Sequence, residues 1–102
     1  MSSQKKQPTK PEILKPVRCA TVFEAQFRED LAWWFQTDEK RANKILNLIT
    51  AVTQDPFIGI GKPEALKHLN LDTWSRRITG EHRLVYRVSA DAIYFLQARY
   101  HY

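Results

Sequence analysis

Cysteine is almost missing from this chain: Cys19 stands alone among 102 residues, so neither an intrachain disulfide nor a Cys/His zinc set can be built from it. No secretory leader is legible, and no apolar run approaches the roughly 20 residues that a membrane-spanning helix needs. The three glycines are too scattered for a phosphate-cradling loop. A nucleophilic Ser/His/Asp set and metal-ligand spacing are missing too, which argues against nucleotide hydrolysis and metal-assisted cutting. What remains is a soluble, reduced protein suited to the cytoplasm, with no membrane role and no cofactor or metal required.

The residues that are present suffice for one small core. Hydrophobic residues make up 43% and aromatics 12% of the chain, and this length fits one domain with one function. The formal charge of +5 is unevenly distributed. Residues 1–18 hold Lys5, Lys6, Lys10, Lys15 and Arg18 against Glu12 and net +4, residues 19–61 net −2, and residues 62–102 net +3. A folded part with an acidic first half and a basic second half suggests one surface facing a polyanion. A solvated charged face is the plainer explanation of the same pattern.

Pro8, Pro11 and Pro16 among lysines, with no amphipathic period, read as a disordered basic tail over 1–18 and place the domain at 19–102. Cys19–Phe23 suits a first strand. Phe23, Phe27, Leu31, Trp34 and Phe35 then recur at helical steps, so a helix is expected over about 24–36, with Thr37 or Asp38 capping a second. In that second helix Ala42, Ile45, Leu46, Ile49 and Val52 form the apolar stripe, and Pro56 ends it. So short a connection makes the two helices antiparallel neighbours that need a sheet beneath them. Trp74–Ile78, His82–Val88 and Ile93–Tyr102 supply it, the first two joined by a hairpin around Gly80. The expected fold is therefore α+β, an antiparallel sheet with two N-terminal helices on one face in the order β-α-α-β-β-β. A chain that runs to its last residue as a strand hints that its end is used.

Alternation along 82–88 places Leu84, Tyr86 and Val88 on one face and Arg83, Val85 and Arg87 on the other. Arg77 or Arg76 joins the arginine face according to register. Guanidinium forks fit phosphate oxygens, so such a row is a candidate phosphodiester cradle. Metal-free RNA cleavage requires a base for the 2′-OH, a cation for the dianionic transition state and an acid for the leaving 5′-oxygen. Glu64, Arg83 and His101 have the chemistry for these roles. Lys62 and Lys67 flank Glu64 and would keep it ionised. Plainer uses exist for each: a solvated loop carboxylate, an ion pair of Arg83 with Glu81 or Asp91, a frayed terminal histidine. His68 remains a rival acid, whereas His82 should point to the covered face in a structural role. Trp33, Trp34 and Trp74 read as core, and Tyr100 and Tyr102 as possible base-stacking rings.

Four runs carry a resemblance: Pro56–His68 (PFIGIGKPEALKH), Trp74–Ile78 (WSRRI), Glu81–Tyr86 (EHRLVY) and Arg99–Tyr102 (RYHY). In this order and spacing they resemble the YoeB (Txe) toxins of the RelE/ParE superfamily, over about residues 20–102. The resemblance implies a RelE-like fold and a toxin–antitoxin toxin that cuts messenger RNA in the ribosomal A site. It implies a YefM-like antitoxin as partner, a homodimer, and operator DNA binding by the antitoxin complex. It assigns Glu64 as general base, Arg83 as phosphate stabiliser and His101 as general acid, with Tyr102 completing the catalytic set. Lys67 and Arg77 fall where the family has RNA contacts, and Lys62 and Arg76 lie beside them. Two other readings are a ParE-like gyrase poison on the same fold and a plain RNA-binding module.

Overall fold

A computed structural model of the chain describes residues 20–69 and 72–100. The basic tail, Cys19, His101 and Tyr102 lie outside the described residues. The elements run β1 (Ala20–Phe23), α1 (Ala25–Thr37), α2 (Glu39–Gln54), β2 (Glu64–Ala65), β3 (Thr73–Arg77), β4 (Arg83–Val88) and β5 (Ala92–Gln97). They build a five-stranded sheet in the order β1-β5-β4-β3-β2 with both helices on one face.

The two helices meet at one residue. Asp38 donates its backbone N–H to the Trp34 carbonyl at the end of α1 (2.7 Å), and its carboxylate accepts the Arg41 N–H at the start of α2 (3.3 Å). One carboxylate thus caps α2 while its own backbone closes α1. α2 buries Ala42, Ile45, Leu48 and Val52 completely, each apolar side chain worth about 1–3 kcal/mol against exposure. Leu46, expected on this stripe, is instead 39% exposed, and Leu48 takes its place. One residue along a helix is a turn of about 100°, so the stripe that contains Ala42 and Ile45 continues through Leu48 and leaves Leu46 on its flank. In α1, Phe27 and Trp34 are buried as expected, whereas Phe35 is 42% exposed. Trp33 and Trp74 are partly buried against the core.

The sheet is antiparallel from β2 through β5, and β1 adds to it in parallel beside β5. Leu84, Tyr86, Ile93 and Phe95 face the helices and, with Ile78, close the core. The run expected as a strand to residue 102 pairs only to Gln97. Leu96 is extra between the Val85–Gln97 and Tyr86–Phe95 pairs, a bulge that turns Gln97 to the same face as Tyr94.

Candidate active site

On the face away from the helices, Glu64, Ser75 and Val85 stand in one cross-strand row, and Arg77 pairs with Arg83 in the next. Ser75 and Val85 are fully buried and make a floor. Above it the Arg83 guanidinium donates to Glu64 Oε1 (2.8 Å) and to Ser75 Oγ (3.2 Å), all from one terminal nitrogen. Arg83 is 20% exposed and Glu64 58%, so the pair has one sheltered and one wet member. Glu64 reaches this place because β2, two residues long, zips onto β3, and the Leu66 N–H continues the ladder to the Thr73 carbonyl (2.7 Å). A carboxylate expected in a loop is thereby held on a strand.

The hydrogen bond from Arg83 holds the Glu64 carboxyl below its ordinary value, helped by the charge of Arg83 and then of Arg77. The cations that keep Glu64 ionised are thus strand arginines, in place of Lys62 and Lys67. Both lysines are exposed on the loop around β2, Lys62 with a left-handed backbone (φ 52°). Arg77 is exposed beside the pair. Among the described residues no three His, Cys, Asp or Glu side chains converge as metal ligands would. No helix there is long and apolar enough to cross a membrane.

Arg76 corrects the expectation that it contacts RNA. One residue from Arg77, it points to the helix side and is completely buried. Its Nε donates to the Tyr86 hydroxyl (3.1 Å), Nη1 to the Ile60 carbonyl (3.0 Å), and Nη2 to the carbonyls of Ile58 (3.1 Å) and Asp55. The Tyr86 hydroxyl in turn donates to the Pro56 carbonyl (2.6 Å), and burial pushes that phenol's pKa up. Four of the five N–H donors of this guanidinium are thereby spent inside the fold, and its burial keeps it from an RNA phosphate. It folds the 55–61 loop that leads into Glu64. Gly59 (φ 134°) approaches so closely that a Cβ there would lie 2.9 Å from Arg76 Nη1.

Beyond β5, α1 ties down the chain. Asp30, fully buried, accepts the Ala98 N–H (2.8 Å), and Trp34 Nε1, one turn later, donates to the Ala98 carbonyl (2.7 Å). β1 has by then turned into the helix, so helix side chains satisfy a backbone that no strand neighbour reaches. Arg99 lies over the Trp33 ring (3.8 Å), and Tyr100 lies tilted against His82 (4.6 Å), which meets Trp34 edge-on (5.0 Å). His82 is buried there, and desolvation lowers its pKa. His68 is exposed. Ser75 and Asp30 escaped the sequence reading. The i, i+3, i+7 spacing of Phe27, Asp30 and Trp34 carried a signal for Asp30, whereas Ser75 becomes visible only through strand register.

The family model of YoeB-like toxins of bacterial type II toxin–antitoxin systems matches residues 23–102. The chain belongs to this family. Toxin RelK of Mycobacterium tuberculosis is 49% identical over 80 residues, which cover 78% of this chain and 94% of that protein. Among solved structures, a YoeB/ParE toxin from Agrobacterium tumefaciens superposes with a TM-score of 0.76 at 41% identity, covering 81% of this chain and 99% of that one. The toxin of a heterotetrameric YoeB–YefM complex from Staphylococcus aureus superposes with a TM-score of 0.72 at 40% identity, covering 83% and 99%. The fold is that of YoeB toxins, and the protein is the toxin of a type II toxin–antitoxin system.

Proposed function

We propose that this toxin is an endoribonuclease that cuts messenger RNA in the ribosomal A site by attack of the substrate's own 2′-OH. The observation that carries the reading is the Glu64–Arg83 pair over the Ser75 floor. In the free protein Arg83 depresses the basicity of Glu64. An incoming phosphate competes for the Arg83 fork, and as that hydrogen bond transfers to a phosphoryl oxygen, Glu64 regains affinity for a proton. Binding the scissile group therefore prepares the base. Glu64 takes the 2′-OH proton as the 2′-oxygen bonds to phosphorus, and Arg83 neutralises charge growing on the equatorial oxygens. The bond to the 5′-oxygen breaks as His101 gives that oxygen a proton, leaving a 2′,3′-cyclic phosphate. Tyr102 assists at the same end of the chain, and Lys62, Lys67 and Arg77 contact the RNA backbone.

A YefM-like antitoxin, the partner named for the S. aureus relative, would neutralise the toxin in the cytoplasm, and the complex would bind operator DNA; a homodimer is the expected free form. Translation with purified components, with and without ribosomes, tests the activity. The expected result is RNA fragments only with ribosomes, lost in Glu64→Gln, Arg83→Ala and His101→Gln. Intact transcripts with the wild-type chain would sink the nuclease reading, and accompanying DNA breaks would indicate a gyrase poison.

A further inference from the structure

The face that carries Glu64 and Arg83 has a second arginine with a different support. Arg87 lies four residues along β4 from Arg83, on the same face and about 14 Å away at strand rise. It pairs in register with Tyr94 of β5, and its guanidinium sits 4.1 Å above the centre of that ring. Its side chain makes no hydrogen bond or ion pair with any described residue. Arg76 has three carbonyl acceptors and the Tyr86 hydroxyl, and Arg83 has Glu64 and Ser75. Among the described residues, the Arg87 guanidinium has only the Tyr94 ring. A guanidinium lying on an aromatic face keeps its N–H edges directed outwards in its own plane, where a phosphate can be met by two parallel hydrogen bonds. The ring also limits the rotamers that must be frozen on binding.

We propose that Arg87, backed by Tyr94, is a further RNA-phosphate contact that holds the nucleic acid at a distance from the Glu64–Arg83 pair. This rests on the reading of the protein as an RNA-cleaving toxin and extends its binding face along β4 and β5. The phosphate belongs either to the substrate strand or to ribosomal RNA.

The test uses the full chain in a Glu64→Gln background, so that RNA stays intact, and measures affinity across a salt series in two arms. One arm uses a short single-stranded RNA and the other ribosomes programmed with messenger RNA. Arg87→Gln should flatten the log–log salt slope by about 0.7, the share of one phosphate on a single strand, and weaken binding roughly fourfold near 0.15 M salt if the two lines meet at 1 M. Tyr94→Leu, which keeps the charge and removes the ring, should weaken binding with little change of slope. Lys40→Gln on exposed α2 removes the same charge from the helix side and serves as the control. Loss in both arms assigns the phosphate to the substrate strand, and loss on ribosomes alone assigns it to ribosomal RNA. If Arg87→Gln matches the Lys40→Gln control in both arms while Arg83→Gln and Arg77→Gln lose affinity, this contact is overturned and the wider reading stands. If none of the arginine variants departs from the control, RNA recognition by this face fails as a whole.

Discussion

Arg76 and Arg83 sit on neighbouring strands, yet the sheet uses them in opposite ways. Arg76 faces the helices, is sealed from water and spends its donors on three loop carbonyls and a phenol oxygen. Arg83 faces away, remains partly wet and shares one nitrogen between a carboxylate and a hydroxyl. A cation surrounded by fixed backbone oxygens is a structural part, because removing it orphans several part-buried acceptors at once. A cation held by an exchangeable carboxylate can be handed to a phosphate. The face of the strand, not the residue type, separates the two.

This contrast breaks if variants of the two arginines behave alike. The largest effect is expected from the wet pair: Glu64→Gln or Arg83→Ala should reduce ribosome-dependent cleavage by about a hundredfold to ten-thousandfold. Both should leave the melting temperature within about 4 °C of wild type. Arg76→Met should do the reverse in kind, costing roughly 3 kcal/mol of stability by leaving the loop carbonyls unpaired, read as a fall in Tm of more than about 10 °C. Substrate affinity per folded molecule should fall far less than in Arg83→Ala. A stable Arg76→Met protein with lost RNA affinity would reverse the assignment.

Gly59→Ala sharpens the structural side, since the new methyl group meets Arg76 Nη1 and the backbone there has a positive φ. A loss of about 1–2 kcal/mol is expected in chemical denaturation. His82 gives a smaller, pH-dependent effect. Burial lowers its folded-state pKa, so its contribution is complete above the unfolded value of 6.5 and is lost as pH falls through the folded value. Wild-type protein should therefore lose more stability than His82→Phe between neutral and mildly acid pH; equal losses would remove His82 from the account. The smallest change is at Glu64, whose carboxyl should titrate higher in Arg83→Ala than in wild type, followed by carbon NMR.

Several features are legible in the sequence. Apolar spacing located both helices, and Asp38 was one of two residues able to cap the second. Alternation along 83–88 assigned Arg83 and Arg87 to one face. The stripe of α2 was misplaced by Leu46 because flanking positions of a helix are equally apolar in this chain, and only packing against the sheet chose Leu48. Glu64 reads as a loop residue in the sequence, since two residues of strand leave no periodic trace. The resemblance to YoeB toxins rested on short runs of residues, and the matched family model covers the same region, residues 23–102.

Local order therefore came from the chain itself: helix periods, strand alternation, turn residues and the charge carried by each side chain are all properties of near neighbours. Register is not, because the pairing of Glu64 with Ser75 and of Ser75 with Val85 joins residues distant in sequence, and a slip of one position would exchange Arg76 for Arg77 between core and solvent. Only the packed sheet resolves that choice, since burying a guanidinium is tolerable solely where the 55–61 loop arrives with carbonyl oxygens to receive it.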